Sequence, residues 1–209
     1  MIKYIRDNAG WNGLILKGGC MDEYLNSLQH VLQKTEIRLK KLDFVLNYED
    51  GMDKLVNIFY EKKKDNKSIA FIGNGGSAAI AIHMTSDFLK NGKMKTLSLY
   101  NPATLTCLGN DYSYEEVFSK QVENIMRSGD MLIAISSSGR SPNIIKAVDA
   151  AHDKDVVVMS FTGFDDSNTV RLNSDISIYL PSHKYGIVES IHNLMLQEIV
   201  DRLMDLENK

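Results

Sequence analysis

From about residue 67 onward, short apolar, β-branched runs alternate with longer stretches whose apolar residues recur every three or four positions. The runs predict strands at 67–72, 95–99, 130–135, 155–161 and 175–180. The stretches predict helices at 77–90, 102–109, 114–126, 141–153 and 187–206. Such alternation implies an α/β fold on a parallel sheet. Upstream, Leu25, Leu28, Val31, Leu32, Ile37, Leu39, Leu42, Phe44 and Val45 keep helical spacing, predicting one long or two short amphipathic helices from position 21. A further helix is predicted over 51–63, closed by Lys62, Lys63 and Lys64. Those cations complement the helix dipole, an anionic partner being the alternative. Gly10, Gly13, Gly18 and Gly19 break any period in residues 1–20, which predicts an irregular extension. The expected architecture is a doubly wound five-stranded parallel sheet with an N-terminal helical extension, residues 21–209 forming one domain. Ligands of such sheets sit at the carboxyl ends of the strands, near the topological switch.

Composition narrows the function classes. A chain of 209 residues, 44% hydrophobic and 24% charged, fits one domain with a full core. A net charge of −3 and a pI near 6.0 give no electrostatic case for nucleic acid as a partner. Cys20 and Cys107 make neither a metal spacing nor a disulfide framework, which suits a reducing compartment. No apolar run approaches a membrane span, and the charged start at Lys3, Arg6 and Asp7 is a poor signal peptide. A cytoplasmic protein without a membrane partner is expected.

Two loops carry the candidate chemistry. Gly73-Asn74-Gly75-Gly76-Ser77 follows the first predicted parallel strand, and Ser136-Ser137-Ser138-Gly139-Arg140-Ser141 follows the third. Both precede helices, whose first amides are unpaired donors carrying a favourable dipole. Glycine lets backbone approach a ligand, and serine adds a neutral hydroxyl donor. Two such loops predict a phosphorylated small molecule. The first loop also reads as a dinucleotide fingerprint, Gly73-x-Gly75-x-x-Ala78. The acid needed for the ribose is missing, because the second strand runs into Leu99-Tyr100-Asn101, so no nucleotide cofactor is expected.

His83 and Asp87 share one helical face, and Glu189, His192 and Gln197 punctuate the last helix. Two such helices can build a metal site or an acid/base pair. Asn110-Asp111 reads either as a turn that caps a helix or as a substrate contact. His30, His152 and His183 read as structural or solvated.

From about residue 21 onward the chain resembles the sugar isomerase (SIS) domain family, and within it the phosphoheptose isomerases. The resemblance rests on the two loops, His83, Gly109-Asn110-Asp111-Tyr112, residues 116–123, Thr162-Gly163 and Leu180-Pro181-Ser182. It implies a flavodoxin-like SIS fold and a homotetramer with active sites at subunit contacts. It also implies conversion of sedoheptulose 7-phosphate to D-glycero-D-manno-heptose 7-phosphate through an enediol(ate), for the heptose of surface polysaccharides. By resemblance, Ser77, Ser136, Ser138 and Ser141 hold the phosphate and Asn74 touches the sugar. Gly75, Gly76, Ser137, Asn110 and Asp111 complete the expected substrate set. A divalent metal, commonly zinc, falls by the same resemblance to His83, Asp87, Glu189 and Gln197.

The chain departs from the family pattern at these positions. The family's Glu is Asp87, its Gln is Glu189, its catalytic His is Gln197, and two substrate-contacting acids give way to Asn101 and the stretch 184–188. One reading makes the protein a non-catalytic binding or interaction module. The other, which we favour, is a re-tuned enzyme, because decay would leave apolar or small residues where His, Asp, Glu and Gln stand. Oxygen-rich ligation would suit zinc less exclusively and admit manganese or magnesium. Glu189 and Gln197 are about 12 Å apart along a helix, so both must lean inward or a neighbouring subunit supplies one. The expected catalytic set is Asp87, Glu189, His192 and Gln197, with Glu189 or Asp87 as the base and His192 or metal-bound water polarising the carbonyl.

Overall fold

The computed structural model describes residues 3–6, 12–15, 21–40 and 45–207. The five predicted strands form the parallel part of the main sheet. They are β5 (Ser68–Ile72), β6 (Lys95–Leu97), β7 (Met131–Ser136), β8 (Val157–Thr162) and β9 (Ile176–Tyr179). Two earlier strands, β3 (Glu36–Leu39) and β4 (Val45–Leu46), extend it to seven in the order β4-β3-β9-β8-β7-β5-β6. β3 runs antiparallel to β9, pairing Ile37 with Ile178. The helix expected across Ile37 and Leu39 is therefore a strand, and Leu42 and Phe44 lie outside the described residues. Glu36-Ile37-Arg38-Leu39 satisfies a period of two as well as one of three to four, and the open edge of β9 decides between them. Residues Lys3–Arg6 (β1) and Asn12–Ile15 (β2), expected to be irregular, pair antiparallel. Four-residue strands are too short to impose a visible period among glycines.

Helices cover both faces. On one side lie α1 (Met21–Gln33), α2 (Tyr48–Lys64), α3 (Gly76–Lys90) and α8 (Tyr185–Glu207). On the other lie α4 (Pro102–Asp111), α5 (Ser119–Ile125), α6 (Pro142–His152) and the unpredicted α7 (Thr169–Asn173). Alternate residues of each central strand feed the two cores: Ile69 and Phe71 face α3 and α8, while Ala70 and Ile72 face the opposite helices. Burial on both faces explains why these strands read as unbroken apolar runs. α2 starts earlier than expected because Asn47 caps it, its side chain accepting from the Asp50 amide at 2.9 Å. The stretch expected to be one helix over 114–126 splits into a 3-10 turn, Tyr114–Glu116, and α5. Among the described residues, no helix is long and apolar enough to cross a membrane.

Candidate active site

Numbered by their order in the chain, the parallel strands lie 2-1-3-4-5, and the order in which strands are added to the sheet reverses between β5 and β7. A cleft of about 250 Å³ opens there, at the carboxyl ends of both strands. Ser77 lines it from one loop and Ser136, Ser137, Ser138 and Ser141 from the other. Asn74, Gly75, Gly76, Glu189 and Tyr185 complete its walls.

Local backbone explains the first loop. Gly75 has φ +56°, open to glycine at no steric cost. A Cβ on Gly73 would stand 2.7 Å from the Ser77 backbone, so the turn closes only without one. The half-buried Tyr100 hydroxyl accepts from the Gly73 amide at 2.6 Å and donates to its carbonyl at 2.8 Å. The strand end that lacks a ribose-binding acid thus supports the loop instead.

The electrostatics favour an anion. Neither α3 nor α6 has a side-chain cap bond at its N-terminus, so first-turn amides of both remain available at the cleft. The Ser137 hydroxyl is buried without a partner, which leaves a desolvated donor to be satisfied. Among the described residues, no lysine, arginine or histidine lines the cleft. Arg140, beside it in sequence, pairs with Asp165 at 3.0 Å. An anion here is held by neutral donors and dipoles, except that the Glu189 carboxylate lies against Gly76, in the space a Cβ there would take.

A second cluster sits farther along the same two helices. Gln197 Nε2 donates to Asp87 Oδ2 at 2.8 Å and lies 3.0 Å from His83 Nε2, and His83 and Asp87 are 3.2 Å apart. The His83 ring is exposed while Asp87 is only 19% exposed. Gly76, Ile80, His83 and Asp87 form one stripe on α3, and Glu189 and Gln197 one on α8, by helical spacing. The two helices pack together.

Other predicted residues fall elsewhere. His192 is fully buried in the core, its ring edge-on to Phe161 and Nε2 3.3 Å from the Thr162 carbonyl oxygen. Burial pushes its pKa down to about 4, so it is neutral and out of reach of the cleft. Position 192 belongs to the sheet-facing stripe with Val188 and Met195, about 60° around the helix from Glu189 toward the core. Asn110 and Asp111 are the exposed last turn of α4, bonded to each other at 2.9 Å, and do not line the cleft. α4 simply runs two residues farther than expected. Tyr185, Tyr100, Tyr114 and Asn143 are not singled out by the sequence, although Asn143 stands only two residues past the second loop.

The donor set decides what a metal could find. His83, Asp87 and Gln197 converge, while Glu189 lies two turns away against the first loop. Among the described residues no group of three or more His, Cys, Asp or Glu could hold an ion. One imidazole, one carboxylate and a hydrogen-bonded amide do not fit a zinc centre closed by protein ligands. The four expected ligands are split between two places.

Comparison with known proteins agrees with this geometry. A SIS domain model matches residues 32–163. The chain belongs to the SIS domain family. It is 33% identical over 177 residues to a phosphoheptose isomerase of Shewanella denitrificans, covering 81% of this chain and 90% of that one. A phosphoheptose isomerase of Chromohalobacter salexigens is 37% identical over 62% of this chain and 70% of its own. The solved phosphoheptose isomerase of Neisseria gonorrhoeae superposes with a TM-score of 0.73 at 28% identity, covering 88% of this chain and 97% of that one. Within the SIS proteins, the chain belongs with the phosphoheptose isomerases, and it is an isomerase of sugar phosphates.

Proposed function

We propose that the protein interconverts sedoheptulose 7-phosphate and D-glycero-D-manno-heptose 7-phosphate. One observation carries this reading: the anion cleft and the His83–Asp87–Gln197 cluster lie along the same face of α3. Seven residues separate Gly76 from His83, about 10 Å at the helical rise. Side chains lean toward the N-terminus of a helix, so the Asp87 carboxylate reaches back to the same level. With C–C bonds near 1.5 Å, an extended seven-carbon chain and its phosphate ester span roughly 10 Å from phosphorus to C1. A phosphate seated in the cleft therefore lets C1 and C2 arrive at the cluster.

There the chemistry is proton transfer between adjacent carbons. Asp87, held by the Gln197 amide, takes the proton from one carbon and returns it to the other. Gln197 and His83 donate to the oxygens that gain charge in the enediolate. Glu189, at the cleft, accepts from sugar hydroxyls near the phosphate end. The test is turnover of a ketose phosphate series. Sedoheptulose 7-phosphate is converted, whereas a five-carbon ketose phosphate, shorter by about 2.5 Å, reacts at least ~100-fold less efficiently. Equal efficiency on both would defeat the spacing argument, and turnover of neither would defeat the isomerase.

A cytoplasmic homotetramer belongs to the same proposal. Met21, Tyr24 and Leu25 on α1 and Ile82 and Leu89 on α3 are large apolar side chains at least 47% exposed, which supports burial against further copies. Sedimentation at the mass of four chains is expected; a monomer at micromolar concentration would refute it.

A further inference from the structure

The resemblance assigns Asn74 to the sugar, yet its side chain is already engaged. Asn74 Oδ1 accepts from Asn143 Nδ2 and from the Tyr114 hydroxyl, each at 2.9 Å. Asn74 Nδ2 donates to Asn143 Oδ1, also at 2.9 Å. A primary amide offers two N–H donors and two acceptor lone pairs, so three of its four valences are used. Its partner Asn143 is 2% exposed, in the first turn of α6, immediately after the second serine loop. Sixty-nine residues separate the two asparagines.

We propose that Asn143 is a positioning residue: its reciprocal amide pair with Asn74 clamps the two serine loops into one preformed phosphate cradle. Asn74 is then the other jaw of the clamp rather than a sugar contact. The inference rests on the phosphate reading of the cleft and adds to it. Each loop turns on glycines, and the one cation they carry, Arg140, pairs with Asp165 and does not line the cleft. Neutral donors hold a dianion well only when their spacing is set beforehand. The part-buried Asn74 amide and the buried Asn143 amide, closing on each other behind the cleft wall, set that spacing, and removing Asn74 leaves the buried Asn143 amide unsatisfied. Tyr114, 63% exposed, ties the 3-10 turn to the same oxygen from the solvent side.

A double-mutant cycle on the full chain tests the clamp, with sulfate binding followed by calorimetry and sugar-phosphate kinetics in parallel. Asn143→Ala and Asn74→Ala each weaken sulfate about tenfold, the loss of one buried amide pair. The double variant is also weaker by about tenfold rather than a hundredfold, because the second removal finds nothing left to break. KM for the sugar phosphate rises by the same factor in all three, while kcat changes less. If Asn143→Ala fails to fold, Asn143→Ser keeps a small polar side chain and carries the same comparison. A merely structural role lowers the melting temperature without moving sulfate affinity, and that result overturns the proposal. So do losses that multiply in the double variant, or an Asn74→Ala effect confined to the sugar phosphate. Wild-type protein that binds neither sulfate nor inorganic phosphate defeats the phosphate reading itself, and this inference with it.

Discussion

Asp87→Asn is expected to lower kcat by about a thousandfold while leaving the affinity for inorganic phosphate within a factor of about two. The amide is isosteric with the carboxylate but cannot accept a carbon-bound proton. In the proposed reaction the phosphate end of the substrate sits at the head of α3, eleven residues before Asp87, among groups that Asp87 does not touch. Fold is not at stake, since the side chain is part-exposed and its partners are the Gln197 amide and the His83 ring. Single-turnover kinetics with a phosphate competition measures both quantities. Retention of more than about a tenth of wild-type kcat would move the base elsewhere, with Glu189 the next carboxylate in line. A parallel loss of phosphate affinity would mean that the two clusters are not separate.

Gly139→Ala should be the most destabilising single-methyl change in the second loop. Gly139 sits at φ +59°, and a Cβ there would overlap the side chain of Asn168. Asn168 cannot step aside cheaply. It is fully buried, caps α7 by accepting from the Arg171 amide at 2.9 Å, and donates to the Asp165 carbonyl at 2.8 Å. Left-handed strain and a broken buried network together cost about 3 kcal/mol, which lowers the melting temperature of a chain this long by roughly 10 °C. Gly109→Ala is the control of opposite sign. It lies inside α4, where a Cβ would meet only Val117 Cγ1 at 3.8 Å, so helix propensity predicts a gain of up to about 1 kcal/mol. Thermal melts of both variants decide, and equal shifts would refute the argument.

The parallel strands and the loops that follow them are legible in the sequence because their signals are local and redundant. An apolar run such as Met131–Ser136, a serine-glycine turn and a proline at the start of the next helix all agree on one junction. What is not legible depends on partners far along the chain. β3 is a strand because β9 offers an open edge 140 residues later, and nothing within Glu36–Leu39 announces that. His192 reads as a catalytic candidate because it is a histidine near Glu189, whereas about 60° of helical rotation turns it into the core. Helical periodicity does hold the answer there, since Ile191, Met195 and Ile199 mark the buried side. The split of the four expected ligands follows from the helix rise, about 12 Å over eight residues, together with the lean of Glu189 toward Gly76 and of Gln197 toward Asp87. Tyr100 is the opposite case, because no local pattern links a strand-end tyrosine to a glycine twenty-seven residues earlier.

In the proposed reaction, anchor and reactive groups ride on one continuous helix, α3, which turns it into a ruler. Its graduations are helical turns of about 5.4 Å, or roughly four carbons of extended chain at the advance set by their bond lengths. Intermediate lengths are reached only through side-chain choice, and an aspartate in place of a glutamate shortens the reach by one methylene. Substrate length in this architecture is thus adjusted coarsely by position along the rod and finely by residue type. The backbone-built anchor at its head need not change at all.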